Sequence, residues 1–366
     1  MAEAVYLVLS NGQVFEGTPF GAPSESGEAV GEVVFTTGMT GYLETLTDPS
    51  YHGQIVVQTF PMIGNYGVIP ADFESACAQP KGYVVREWCR SPSNFRSEGD
   101  LGSFLAASGI PGICGVDTRA LTRVIRESGT MNGLITRNPQ EADLEALKGF
   151  HIRDAVASVS AKEVAVFSGR DTVRVVVLWD FGAKENIIRS LVARGCRVIR
   201  APHRSSAVDI LSYKPDGVML TNGPGDPLDN PGIVKELKKL MDCRVPTLGI
   251  CLGHQLLALA MGGATEKLKY GHRGANQPVR DQRTGRVSIT TQNHGYAVVP
   301  RSLDRDIAEI RYVNANDGTC EGIDYRSIPA FTVQFHPEAA AGPRDTAFLF
   351  DRFMRLMDGG AGANAA

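Results

Sequence analysis

Cys251 stands between an apolar segment, Val245-Pro246-Thr247-Leu248-Gly249-Ile250, and a second segment, Leu252 to Met261, stopped by Gly262-Gly263. The first reads as a buried parallel strand and the second as a helix. A cysteine on such a strand-to-helix elbow is presented at the carboxyl end of a sheet, where the positive end of the helix dipole favours negative charge on sulfur. Gly249 and Gly253 suit the elbow because a sharp turn leaves little room for Cβ atoms. A base follows later in the chain. Phe331-Thr332-Val333-Gln334-Phe335-His336 reads as another buried strand ending in an imidazole. Glu338, two residues on along an extended chain, points the same way and can fix the tautomer of the ring. His254, beside the cysteine, is a rival base, but the helix should turn it away from the thiol. Taken singly, a cysteine is most often a small buried hydrophobe and a histidine a structural one. The coincidence with a third feature, the loop Thr221-Asn222-Gly223-Pro224-Gly225-Asp226, favours covalent catalysis by a thiolate.

These residues need a scaffold, and the second half of the chain spells one. Val173 to Leu178 reads as a strand, Glu185 to Ala193 as a helix, Cys196 to Arg200 and Gly217 to Leu220 as strands, and Gly232 to Met241 as a helix. Alternation of this kind implies an α/β fold, a mostly parallel sheet covered by helices, with ligands bound at the carboxyl ends of the strands. Asp180-Phe181-Gly182, the glycine-rich loop and Cys251 all fall at such ends, on one rim. The first half is different and rich in short strands. It opens with a hairpin, Val5 to Leu9 and Gln13 to Phe15 around Ser10-Asn11-Gly12, followed by apolar runs at Ala29 to Phe35, Ile55 to Thr59 and Gly82 to Val85. A helix begins at the cap Asp117, buries Ala120, Leu121, Val124 and Ile125 and ends at Gly129. The expected organisation is a strand-rich β/α domain over 1–153, a polar linker over 154–171, an α/β domain over 172–358 and a disordered tail over 359–366.

Composition narrows the function classes. At 366 residues with a net charge of −3 and interspersed signs, nothing suggests a footprint for nucleic acid or an anionic membrane. Seven cysteines, an odd number with no C-x-x-C pair, speak against a disulfide framework and a zinc cluster, so a reducing, cytoplasmic setting is expected. No basic region precedes the first apolar run, and no apolar stretch approaches the roughly 20 residues needed to span a bilayer, so neither signal peptide nor anchor is expected. There is no G-x-x-x-x-G-K-[ST] phosphate loop and no evident metal-ligand spacing, so no ATP, cofactor or metal site is assigned to the chain.

The segments Gly249 to Gln255, Asn222 to Pro227 and Gln334 to Glu338 resemble the motifs of the class I, triad-type glutamine amidotransferases. Gly38-Met39-Thr40-Gly41-Tyr42, Thr47-Asp48-Pro49-Ser50-Tyr51, Gly64-Asn65-Tyr66-Gly67, Gly115 to Thr122 and Asp180 to Lys184 are similar to the small, glutaminase subunits of carbamoyl-phosphate synthetases. The likeness covers nearly the whole chain. It departs at Ala339-Ala340-Ala341, where similar proteins often carry a serine and a proline before Gly342-Pro343.

The resemblance implies a Cys251–His336–Glu338 triad that hydrolyses glutamine through a γ-glutamyl thioester, and an oxyanion hole from the N–H groups of Gly223 and Leu252. It implies a glutamine pocket lined by Ser50, Gly223, Gly225, Leu252, Gln255, Asn293, Gly295 and Tyr296, lying between domains if Ser50 reaches it. Ser50 can equally be only a turn residue and Asn293-His294-Gly295 only a hairpin corner. Lys184 and Asp226 share the rim, where a solvated surface role serves either as well. The implied partner is a large synthetase subunit, docked on the first domain, that receives the ammonia and uses ATP and bicarbonate to make carbamoyl phosphate for arginine and pyrimidine synthesis. Three rival readings are the amidotransferase of another pathway, a non-catalytic subunit that stabilises a partner, and a free cysteine peptidase or γ-glutamyl hydrolase.

Overall fold

The computed structural model describes residues 4–22 and 29–359. The chain forms two compact units, 1–153 and 154–366. Beyond Gly359, the expected tail lies outside the described residues.

The first unit is a closed barrel of strands β1 (Val5–Leu9), β2 (Val14–Gly21), β3 (Ala29–Thr36), β4 (Gln54–Gln58), β6 (Gly82–Val84), β8 (Pro111–Cys114) and β9 (Met131–Thr136). Round the barrel the order is β1-β2-β8-β6-β4-β3-β9, and the short strands β5 (Met62–Ile63) and β7 (Glu87–Trp88) pair apart from it. The β1–β2 hairpin turns where Asn11 and Gly12 stand, with Val8 opposite Val14 and Gly12 at a φ of 87°. Helices α1 (Tyr42–Thr47) and α2 (Leu101–Ala107) pack Leu43, Leu46, Leu101 and Leu105 onto Val34, Val56 and Tyr83 of the strands. Asp117 caps α3 (Thr118–Ser128) through the Ala120 N–H at 2.9 Å, and Gly129 ends it at a φ of 93°. The short helix α4 (Leu144–Lys148) closes the unit.

The second unit is a ten-stranded sheet between two layers of helices. Its strands are β10 (Ala165–Phe167), β11 (Arg174–Asp180), β12 (Cys196–Pro202), β13 (Gly217–Leu220), β14 (Thr247–Ile250), β15 (Thr265–Asp281), β16 (Val287–Val298), β17 (Ala308–Asn314), β18 (Cys320–Tyr325) and β19 (Ala330–Val333). They run in the order β10-β12-β11-β13-β14-β19-β18-β17-β15-β16. The helices are α5 (Ala155–Val159), α6 (Glu185–Val192), α7 (Ala207–Ser212), α8 (Pro231–Asp242), α9 (Leu252–Ala260) and α10 (Phe348–Met357). Alternation along the strands divides the core. Val177, Trp179, Val218 and Leu220 face α7, α8 and α9, whereas Val176, Leu178 and Met219 face α6 and α10. From β12 to β19 the sheet is parallel, as the strand-helix rhythm implies.

Two expectations change. Residues 154–171 are no plain linker, since α5 sends Val156 into the core and β10 pairs antiparallel with β12. Polar neighbours hide so short an edge strand. The strand expected over 331–336 stops at Val333, and His336 lies beyond it, held by a single bridge to Thr291 of β16. Strands β15 to β18, paired antiparallel beyond β19, were not anticipated as a group. Among the described residues, no helix is long and apolar enough to cross a membrane.

Candidate active site

The elbow is built from backbone that only glycine permits. A Cβ on Gly253 would lie 2.4 Å from the Leu220 carbonyl oxygen, and one on Gly249 2.9 Å from the Gly253 carbonyl oxygen, so either would drive helix from sheet. Between them Cys251 is forced to φ 54° and ψ −105°, a strained conformation of the kind that clusters at functional sites. Its N–H is held by the Val333 carbonyl at 2.9 Å, which ties Cys251 to the end of β19. The thiol points toward the Asn293 carbonyl oxygen, with Sγ at 3.7 Å.

His336 and Glu338 meet as expected, by a different route. The chain turns after His336 instead of staying extended, and Glu338 Oε1 accepts from the ring at Nδ1 across 2.6 Å. Because a carboxylate only accepts, Nδ1 carries the hydrogen and Nε2 is left for proton transfer. Nε2 is buried, with the Cys251 thiol close to the ring. Lys184 completes the group, its Nζ 3.0 Å from the same Glu338 oxygen, with both side chains buried. Burial opposes the charge on Glu338, but Lys184 and then His336 outweigh it and hold the carboxyl down at about 2. Burial likewise works against the imidazolium of His336, and the Glu338 carboxylate overrides it, lifting the ring to about 10.

Lys184 is therefore no solvated rim residue. Asp180 Oδ1 accepts from the N–H groups of Gly182 and Ala183 at 2.9 and 2.8 Å, and Asn222 Oδ1 accepts from the N–H of Lys184 at 3.2 Å. This turn delivers the lysine inward, and the Asp-Phe-Gly-Ala-Lys segment at a strand end was the signal for it. Asn186, also unforeseen, donates to the Glu338 carbonyl at 2.6 Å. Asp226 is half-buried and caps a turn through the Leu228 N–H at 2.9 Å. His254 is turned away as anticipated, its Nδ1 2.8 Å from Thr332 Oγ1, and burial lowers it to about 3.

The residues expected around glutamine are brought together in part. Gly223 approaches the elbow so closely that a Cβ would strike the Phe181 carbonyl oxygen at 2.3 Å and Leu252 Cδ2 at 2.8 Å. The first N–H groups of a helix lack intrahelical acceptors. That of Gly253 goes to the Thr221 carbonyl at 3.0 Å, and that of Leu252 follows directly on Cys251. Gln255 donates from Nε2 to the Tyr296 carbonyl at 2.8 Å and to Gln334 Oε1 at 2.9 Å. Gln334 is a support the sequence did not reveal. Asn293 and Gly295 lie on β16 with Tyr296, and Gly225 takes a φ of 88°. Ser50 belongs to the first unit, where Asp48 Oδ1 accepts from its N–H at 2.9 Å.

Comparison with known proteins matches both units. The family profile "Carbamoyl-phosphate synthase small chain, CPSase domain" matches residues 7–135, and "Glutamine amidotransferase class-I" matches residues 177–356. A carbamoyl phosphate synthase small chain of Symbiobacterium thermophilum is 50% identical over 360 residues, 96% of this chain and 98% of that one. One from Fusobacterium nucleatum is 51% identical over 355 residues, again 96% and 98%.

Proposed function

Since the chain belongs to the carbamoyl-phosphate synthase small-chain family and is its glutamine amidotransferase subunit, we propose that Cys251, His336 and Glu338 hydrolyse L-glutamine to glutamate and ammonia. The observation that carries this reading is the buried chain from Lys184 through Glu338 to His336, which ends at an imidazole nitrogen beside the Cys251 thiol. His336 Nε2 takes the thiol proton, and Sγ attacks the side-chain amide carbon of glutamine. The N–H groups of Gly223 and Leu252 receive the negative oxygen of the tetrahedral intermediate. The imidazolium returns its proton to the departing nitrogen, ammonia leaves, and water hydrolyses the γ-glutamyl thioester. Glu338 stabilises the imidazolium when it forms, without taking the proton.

The α-amino and α-carboxylate groups of glutamine need partners in the pocket, because a buried unpaired charge is costly. Gln255, with its amide nitrogen already engaged, offers Oε1, and Asn293, Gly295, Tyr296 and Gly225 complete the proposed set within this unit. The chain itself uses no cofactor in this reaction. A large synthetase subunit consumes the ammonia with bicarbonate and ATP, supplying carbamoyl phosphate to arginine and pyrimidine synthesis, and glutaminase activity rises when that subunit is bound.

The test is glutamate release from glutamine by the wild type and Cys251→Ser, each alone and with a carbamoyl-phosphate synthetase large subunit, ATP and bicarbonate. Cys251-dependent release that increases with the partner and yields carbamoyl phosphate is the expected result. Release indifferent to that partner points to another amidotransferase pathway, and no release at all points to a non-catalytic subunit.

A further inference from the structure

A second carboxylate–histidine group lies in the antiparallel part of the sheet. His272 of β15 and His294 of β16 are register partners, and Glu321 of β18 reaches toward both. The rings stand edge to face with centroids 5.0 Å apart. His294 and Glu321 are buried, and the His272 side chain is 11% exposed. The sequence showed no metal-ligand spacing because the three residues come from three strands.

Hydrogen bonding on the outer side of each ring decides what faces inward. The Tyr296 carbonyl, which only accepts, lies 2.8 Å from His294 Nδ1, so that nitrogen carries hydrogen and Nε2 presents a lone pair. Asp317 Oδ2 lies 2.8 Å from His272 Nε2, which assigns the hydrogen there and a lone pair to Nδ1. Glu321 Oε1 sits 3.3 Å from His272 Nδ1 and 4.0 Å from His294 Nε2. Gln292 donates from Nε2 to Glu321 Oε2 at 3.0 Å and to Thr290 Oγ1 at 3.2 Å, which turns its Oε1 toward His294 Nε2 at 3.0 Å. Four acceptors thus converge, and Asn314 Nδ2 lies at their margin, 3.5 Å from His272 Nδ1 and within reach of the Glu321 carboxylate. A proton on His272 satisfies the contact to Glu321 and leaves His294 Nε2 against the Gln292 oxygen. A divalent cation satisfies all four.

We propose that His272 Nδ1, His294 Nε2 and Glu321 Oε1, with Gln292 Oε1 as fourth donor, form a structural site for a zinc-type divalent cation. Bonds of about 2.0–2.2 Å to nitrogen and oxygen allow ligand atoms up to about 4 Å apart. The two separations to Glu321 Oε1 satisfy that limit. The outer contacts to Asp317 and the Tyr296 carbonyl are those that orient metal-bound imidazoles. Two imidazoles with oxygen ligands suit Zn²⁺ over Ca²⁺ or Mg²⁺. The need for such a clamp follows from the topology. β16 ends the sheet order, and its ladder to β15 is irregular between Lys267 and His272 and between Gly274 and Gln277. The cation joins that edge strand to β15 and β18.

The experiment uses the full-length chain carrying Cys251→Ser, which removes the reactive thiol as a competing ligand. Metal content is measured after dialysis against zinc and then a weak chelator, and the Co²⁺ form is examined by absorption. One tightly held equivalent of zinc, and a cobalt spectrum of nitrogen and oxygen ligation without a thiolate charge-transfer band, are expected. His272→Ala and Glu321→Gln in the same background lower the affinity at least tenfold. Substoichiometric metal, a thiolate band, or affinity unchanged in both variants overturns the proposal. The cobalt spectrum decides the matter even if a variant fails to fold.

Discussion

Two buried groups in the second unit are made of the same parts and differ in how their charges close. At the Cys251 corner, Glu338 lies between His336 and Lys184, so its carboxylate is shared by a lysine and the ring Nδ1, and Nε2 is the nitrogen left on the side of the thiol. In the β15–β16–β18 group, Glu321 faces two imidazoles with no lysine contact, and both rings are tied on their outer sides by acceptors. On the readings proposed above, the first passes a proton and the second holds a cation. A buried histidine next to a glutamate therefore does not declare its role. The donors on the far side of the ring declare it.

Perturbing each group separates the two roles. Cys251→Ser should lower glutamine turnover by roughly 10,000-fold or more, the scale of losing an activated nucleophile, as read by glutamate release. Glu338→Gln should cost roughly 100- to 10,000-fold in kcat, because the ring loses its tautomer control while Lys184 keeps a buried charge. The same change should destabilise the fold by about 3 kcal/mol in a urea titration. Turnover within threefold of wild type would mean that Glu338 does not orient His336.

Stability against pH gives a smaller signal with a defined sign. His336, raised from 6.5 to about 10, contributes stability that is complete below pH 6.5 and is lost as pH rises toward 10. Glu338, lowered from 4.5 to about 2, contributes stability present above pH 4.5 and lost as pH falls toward 2. Urea titrations at pH 6 and 9.5 should therefore show a smaller loss between the two pH values for His336→Asn than for wild type. At the other group, Glu321→Gln should leave kcat within about threefold of wild type at saturating glutamine and abolish any rise in Tm on adding Zn²⁺. A loss of kcat as large as that of Glu338→Gln would erase the contrast between the groups.

The parallel core was legible because its strands announce themselves. Gly217–Leu220 and the elbow after Ile250 carry continuous apolar runs closed by glycine, and buried strands leave little else to read. The antiparallel strands β15 to β18 were harder to see, since Arg273, Gln292, Arg311 and Glu321 are polar residues buried within them. A hydropathy pattern assigns such residues to the surface. Only contacts distant in the chain, such as Arg311 Nε to Asp281 Oδ1 at 2.7 Å, make their burial tolerable.

Local chemistry along the chain was enough to propose Cys251 as nucleophile and His336 as its base, and to pick out the glycines that shape the elbow. Those features depend on neighbours in sequence: a strand feeding a helix, a carboxylate two residues from an imidazole, a turn that excludes Cβ. The tertiary structure alone decided that Lys184 is a buried partner of Glu338, that Gln334 holds Gln255, and that His272, His294 and Glu321 face one another. The reason is electrostatic. The state of a buried charge is set by whatever lies within a few ångströms of it, and in a sheet of crossing strands those neighbours are far away in sequence.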